Sequence, residues 1–193
     1  DCHVPSGVFV AFTAGKTQIV AGSVARQNID RGITHVSAVA ESPRPVLRPL
    51  REHDLKRVHE IESRSYDFPW SLGVFSDCLR VGYCCWAVVD QHDLAGYGIM
   101  TIAAQECHIL NVCVDPDYRR RGYAAALLQK LIESACARGA KTAFLEVRPS
   151  NGAALDLYLR AGFSRLGERT DYYSALDGRE NAVVLYKTLA DND

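Results

Sequence analysis

Two residues pair a reactive group with a setting that needs a reason. Glu146 sits inside the apolar run Phe144-Leu145-Glu146-Val147. A carboxylate there is costly to bury unless it is paired or faces a cleft. Tyr158 follows at the middle of the next helical segment. A carboxylate and a phenol held at one site can take and give a proton. Each has a plainer alternative. Glu146 could be the outward residue of an edge strand, and Tyr158 a core aromatic whose hydroxyl is satisfied locally. A third stretch, Arg119-Arg120-Arg121-Gly122-Tyr123-Ala124, joins three cations to small residues at the start of a helical pattern. The unpaired N–H groups of a first helical turn and the helix dipole both favour an anion. Gly122 and Ala124 would let a bulky anion reach the backbone, so the stretch suits a phosphate or pyrophosphate. The alternative is an ordinary basic helix start.

The elements that must position these residues can be read from spacing. Ile109 to Val114 is an apolar, β-branched run, and Asp115-Pro116-Asp117 ends it because proline gives the ladder no N–H. After Gly122, Leu127, Leu128, Leu131, Ile132, Ala135 and Cys136 recur at helical spacing, with Gly139 placed as a C-cap glycine. Thr142 to Val147 reads as a buried strand, and Asn151 as the N-cap of a helix from Ala153 to Ala161, ended by Gly162. Upstream, Val46 to Leu50 reads as a first strand, Leu55, Val58 and Ile61 as one helical face, and Ser71 as the cap of a second short helix. Cys84–Val89 and Leu94–Ile102 read as a hairpin turned by Asp90 to Asp93, and Cys107–Val114 as the next strand. Phe163–Leu166 and Ala182–Leu185 read as two last strands, separated by a polar loop carrying Tyr172, Tyr173, Asp177 and Arg179. Strands flanking the helix after Gly122 should pair in parallel and hairpins antiparallel. The expectation is an α/β chain (mixed α+β) with a mixed sheet of about six to seven strands and helices on both faces.

Composition narrows the classes. The chain has 193 residues, 48% of them hydrophobic and 23% charged, enough for one well-cored domain. A net charge of -1 provides no basic field for nucleic acid. Apolar runs fall short of the roughly 20 residues needed to span a bilayer, and no secretory leader pattern is visible. Seven cysteines, mostly in apparent core segments, favour reduced thiols and a cytoplasmic setting. Residues 1–43 are rich in small residues without a helical period, and read as an irregular or flexible extension before a domain spanning 44–193, with Ser42-Pro43-Arg44-Pro45 as the linker. Within the extension, Gly15-Lys16-Thr17 resembles the end of a phosphate loop but has Val10 where the first glycine belongs, and Cys2-His3 has no second pair at zinc spacing. Cys107-His108 offers a rival base or a metal fragment, again without matching ligand spacing.

Arg119 to Ala124 resembles the acetyl-CoA signature Arg/Gln-x-x-Gly-x-Gly/Ala of the GNAT N-acetyltransferases, with alanine in place of the commoner last glycine. Leu145-Glu146-Val147-Arg148-Pro149-Ser150-Asn151, Leu157-Tyr158 and Ala161-Gly162-Phe163 are similar to the RimI family within that superfamily. So are Phe68-Pro69-Trp70-Ser71, Leu110-Asn111-Val112, and Tyr172-Tyr173 followed by Asp177-Gly178-Arg179-Glu180. The resemblance covers roughly residues 46 to 188 in order. It implies a GNAT fold and acetylation of protein N-termini, typically the alanine of a small-subunit ribosomal protein, from acetyl-CoA without a metal, a direct nucleic-acid contact or a membrane. By position it implies Glu146 as general base and Tyr158 as general acid. Val112, Cys113 and Val114 would hold the acetyl-pantetheine arm, Arg119, Arg120, Arg121, Gly122, Tyr123, Ala124 and Ala125 the pyrophosphate, and Asn151 would contact the cofactor. Phe68, Pro69, Trp70, Tyr172 and Tyr173 would border the acceptor, with plain packing as the alternative for Trp70 and Tyr173. Two other activities share much of this pattern: acetylation of lysine side chains or a small amine, and non-catalytic acyl-CoA binding, which has no need of Glu146 and Tyr158 together.

Overall fold

A computed structural model describes the backbone of residues 9–10 and residues 45–189. In chain order the elements are β1 (Phe9–Val10), β2 (Val46–Pro49), α1 (Leu55–Ser65), α2 (Leu72–Arg80), β3 (Cys84–Asp90), β4 (Asp93–Ala103), β5 (Glu106–Val114), α3 (Tyr123–Cys136), β6 (Thr142–Val147), α4 (Gly152–Arg160), β7 (Ser164–Ala175) and β8 (Gly178–Thr188). Apart from β1, the Gly15-Lys16-Thr17 and Cys2-His3 readings and the rest of residues 1–43 lie outside the described residues.

The strands form one mixed sheet in the order β2-β3-β4-β5-β6-β8-β7, with β1 pairing β5 off this path. Neighbours are antiparallel except β5–β6 and β1–β5. The parallel β5–β6 pair is what a crossover through α3 requires. Each face has its own core. Leu127, Leu128 and Leu131 of α3 and Ala154 and Tyr158 of α4 pack with Ile109, Val112, Leu145 and Val147 on one face. On the other, Val58 and Ile61 of α1 and Phe75 of α2 pack with Tyr97, Ile99, Leu110, Cys113 and Tyr173. Gly98 allows α3 to lie close, since a Cβ there would sit 2.9 Å from Leu131 Cδ1.

The expected elements are present with ends shifted by a residue or two, apart from one region. The stretch with Tyr172 and Tyr173 is strand, and β7 and β8 form one long hairpin whose connection is only Leu176-Asp177. Its residues are polar because most of β7 is exposed, so an apolar search finds only the part that pairs beside the core.

One irregularity shapes the site. Ile99 pairs with Asn111 and Met100 with Ile109, so Leu110 is an extra residue in β5. Such a bulge bends its strand and increases its twist. The β5–β6 ladder runs only from Glu106↔Thr142 to Ile109↔Leu145. Past the bulge the two strands part, and Glu146 and Val147 pair only with β8.

Candidate active site

The anion loop forms where β5 enters α3. Asp115 ends the strand, accepts from the Asp117 N–H at 2.9 Å and starts a short 3-10 turn, Pro116–Tyr118. The Asp115 carboxylate is fully buried and ion-paired with Arg57 at 2.8 Å and Arg64 at 2.9 Å, which fastens the loop to α1. Arg120 has φ 66° and Gly122 φ 83°, so the loop makes two left-handed steps before the helix. Glycine adopts such a φ without the steric cost that a side chain brings. A Cβ built on Gly122 would meet nothing within 4 Å, so the space before it is open. That space belongs to a cleft of about 380 Å³ lined by Val114, Arg119, Arg120, Gly122, Tyr123, Ala124 and Ala125, and on the α4 side by Asp156 and Arg160. First-turn amides of α3, two arginines and small residues around open space can take a pyrophosphate.

Not every residue of the basic run faces this cleft. The Arg121 guanidinium turns to Asp90 at 3.0 Å and lies over the Tyr118 ring. Asn151 is the helix cap expected of it: its side-chain oxygen accepts from the Ala154 N–H at 3.2 Å. Cys113 points into the α1–α2 core and Val112 into the α3–α4 core, which leaves their backbone at the strand edge. Phe9–Val10 pairs with Asn111 and Val112 along this edge.

Glu146 lies just past the point where β5 and β6 part, and Tyr158 belongs to the core on the α3–α4 face of the sheet. Leu145 and Val147 face α3 and α4, so strand alternation turns Glu146 to the other side. There its nearly buried carboxylate meets the half-exposed Arg169 of β7 at 3.1 Å. Tyr158 on α4 is completely buried, and its hydroxyl has no hydrogen-bond partner among the described residues. Burial pushes this hydroxyl well up, so it stays protonated at neutral pH. A buried orphan hydroxyl is uncommon unless something else meets it. Tyr158 is also near enough to Tyr66 and Tyr173 to act on their ionisation.

The expected acceptor residues divide. Phe68 and Pro69 are exposed on the α1–α2 loop, and Tyr172 is partly exposed on β7. Trp70 is buried against Phe75, ring centroids 5.5 Å apart, and Tyr173 is buried under the Arg148 guanidinium, so both rings pack. His108 stacks on Phe144, away from the anion loop. Sequence reasoning missed Asp156, Arg160 and Arg169. Arg160 had a visible signal, a cation on the helix right after the Asn151 cap, whereas Arg169 meets Glu146 only through the β6–β8–β7 order.

A cationic loop beside open space and a nearly buried carboxylate where the sheet splits suit acyl transfer. Residues 49–163 match the model of the acetyltransferase (GNAT) family. The chain belongs to that family and, within it, to the RimI group of acyltransferases. Over 139 residues it is 38% identical to the [ribosomal protein bS18]-alanine N-acetyltransferase of Escherichia coli strain K12, covering 72% of this chain and 94% of that one. The enzyme of the same name from Haemophilus influenzae is 32% identical over 141 residues, covering 72% and 96%. The crystal structure of the ribosomal-protein-S18-alanine N-acetyltransferase from Escherichia coli matches with TM-score 0.72 and 35% identity, over 76% of this chain and 95% of that one.

Proposed function

We propose that this enzyme moves an acetyl group from acetyl-CoA to the α-amine of an N-terminal alanine, on a small-subunit ribosomal protein, with Glu146 as base and Tyr158 as acid. The observation that carries the reading is the buried Tyr158 hydroxyl, without a partner among the described residues, on the helix that follows the Glu146 strand. Identity to the bS18-alanine acetyltransferases supports the choice of acceptor. When bound, acetyl-CoA supplies an activated acyl group on a thiol leaving group.

The chain's own residues do the rest. An attacking amine must be neutral. A free α-amine has a pKa of about 8 and a lysine about 10.4, so an N-terminus gives up its proton far more readily near pH 7. Glu146 takes that proton, directly or through a water. Its Arg169 pair shows that the pocket accommodates a cation against this carboxylate, and an incoming ammonium fits the same place. Backbone N–H groups of β5 beyond the Leu110 bulge would meet the negative charge that develops on the acyl oxygen once Phe9–Val10 leaves that edge. Tyr158 holds a proton for the departing sulfur, and its low-dielectric surroundings keep it there. Arg120 and the first turn of α3 hold the pyrophosphate, while the Arg119 guanidinium donates to the Val114 carbonyl and the Ser65 hydroxyl, each at 3.2 Å, and braces the loop.

The test is competition between an Ala-starting peptide and its N-terminally blocked, lysine-containing counterpart. The free α-amine is expected to be acetylated faster across several sequences. Faster acetylation of the blocked peptide would make this a lysine acetyltransferase.

A further inference from the structure

The mechanism leaves the fully buried acid of α1 without a task. Glu62, on α1, is 0% exposed. Oε1 accepts from the Trp70 N–H at 3.1 Å. Oε2 accepts from the Tyr97 hydroxyl of β4 through a short hydrogen bond, and from Asn111 Nδ2 at 3.4 Å. Asn111 Nδ2 also lies 3.3 Å from the Tyr97 oxygen, and Asn111 Oδ1 accepts from the Tyr66 hydroxyl at 3.4 Å. One carboxylate thus ties together α1, the loop to α2, β4 and the bulged part of β5. Burying a carboxylate is costly, and an apolar side chain of similar size would fill this space without that cost.

We infer that Glu62 is a positioning residue: from inside the core it fixes the Phe68–Trp70 loop to the bulged segment of β5, and so sets the spacing between acceptor and acyl group. This rests on the reading that the loop borders the acceptor. Every group facing the carboxylate is a donor: an amide N–H, a phenol and a side-chain amide. An ionised carboxylate accepts from all three. A protonated one must place its own proton against a donor, and the Tyr97 phenol has to turn. Burial pushes Glu62 up to about 7, opposed by the donations from Tyr97, Trp70 and Asn111. The titratable neighbours are Tyr66 on its own helix, Tyr97 on β4 and Cys113 on β5, with Tyr158 and Tyr173 beyond Tyr66. All five are held up by burial and stay neutral at neutral pH, so Glu62 is the member that changes charge there. The loop is therefore held fully above about pH 7 and loosened below it.

The experiment uses the full chain with CoA and an N-terminally acetylated Ala-hexapeptide, a product that has no titrating amine. Two readouts are followed from pH 6 to pH 8: the Trp70 backbone amide resonance and calorimetric binding of the peptide. In the wild type the resonance should titrate, and the peptide should bind roughly fivefold more tightly at the higher pH. Glu62→Gln should abolish the titration and bind weakly at both values. Tyr97→Phe removes one donor, so its midpoint should move to higher pH, which keeps the test open if the first variant folds poorly. Persistence of the Trp70 titration in Glu62→Gln overturns the inference. So does a titrating loop with pH-independent peptide binding, which would make Glu62 structural only. If the blocked peptide fails to bind while a lysine peptide is acetylated with this Glu62-dependent pH profile, the acceptor assignment falls and the role of Glu62 stands.

Discussion

At the scale of single residues, the proposed mechanism gives proton transfer to Glu146 and Tyr158 and positioning to Glu62. Glu146→Gln and Tyr158→Phe keep shape and lose proton transfer, so each is expected to lower kcat by roughly 100- to 10,000-fold while acetyl-CoA binds nearly as before. Steady-state kinetics beside calorimetry separates the two effects, and near-normal turnover in both variants would refute the assigned roles. Glu62 leads to a different expectation. Burial raises its folded-state pKa from the ordinary 4.5 to about 7, so the folded protein holds this proton more tightly than the unfolded chain. That contribution to stability is complete below the ordinary glutamate range and is lost as pH rises through about 7. It amounts to on the order of 3 kcal/mol between the two limits. Urea unfolding from pH 5 to pH 9 should show the decline, and Glu62→Gln should remove that part of the slope.

At the scale of elements, the anion loop is positioned by its neighbours. Asp115 ends β5, begins the turn and binds two arginines of α1, so the strand, the loop and α1 move together. Gly122 then supplies a left-handed step beside open space. Gly122→Val should weaken acetyl-CoA binding at least roughly tenfold, since a branched side chain both strains this φ and fills the phosphate space. Unchanged affinity by calorimetry would displace the pyrophosphate from this loop. These parts were legible in the chain because they are local: proline and aspartate end the strand, glycine and a three-four apolar repeat begin the helix, and Asn151 caps the next one. The Tyr158 and Glu146 positions were legible as oddities of type and setting. The Glu146–Arg169 pair was not, because it reaches across β8, which lies between β6 and β7 in the sheet but follows both in the sequence. The Leu110 bulge was hidden for a related reason, since an extra residue is defined only by its partner strand.

At the scale of the whole molecule, the described domain has two complete cores on one sheet, and both form from residue 46 onward. Removal of residues 1–43 should therefore leave folding and turnover intact. Because Phe9–Val10 lies along the edge of Asn111 and Val112, where the pantetheine arm is expected, the shortened chain should also show an equal or lower KM for acetyl-CoA. Circular dichroism and initial rates check both points. A shortened chain that does not fold, or has lost activity, would show that the extension belongs to the domain. Among the described residues no helix is long and apolar enough to cross a membrane, and the six cysteines there are free thiols.

The long β7–β8 hairpin has a consequence for how such an enzyme can change. Arg169, Tyr172 and Tyr173 are carried on it, whereas the pyrophosphate cleft is built from β5, α3 and α4. The hairpin turns through Leu176, a side chain 80% exposed, and much of β7 faces solvent. With the acceptor proposed to lie against this hairpin, drift along it would retune which amine enters while leaving the proposed acyl-donor cleft untouched, so the two specificities of one reaction would be inherited separately.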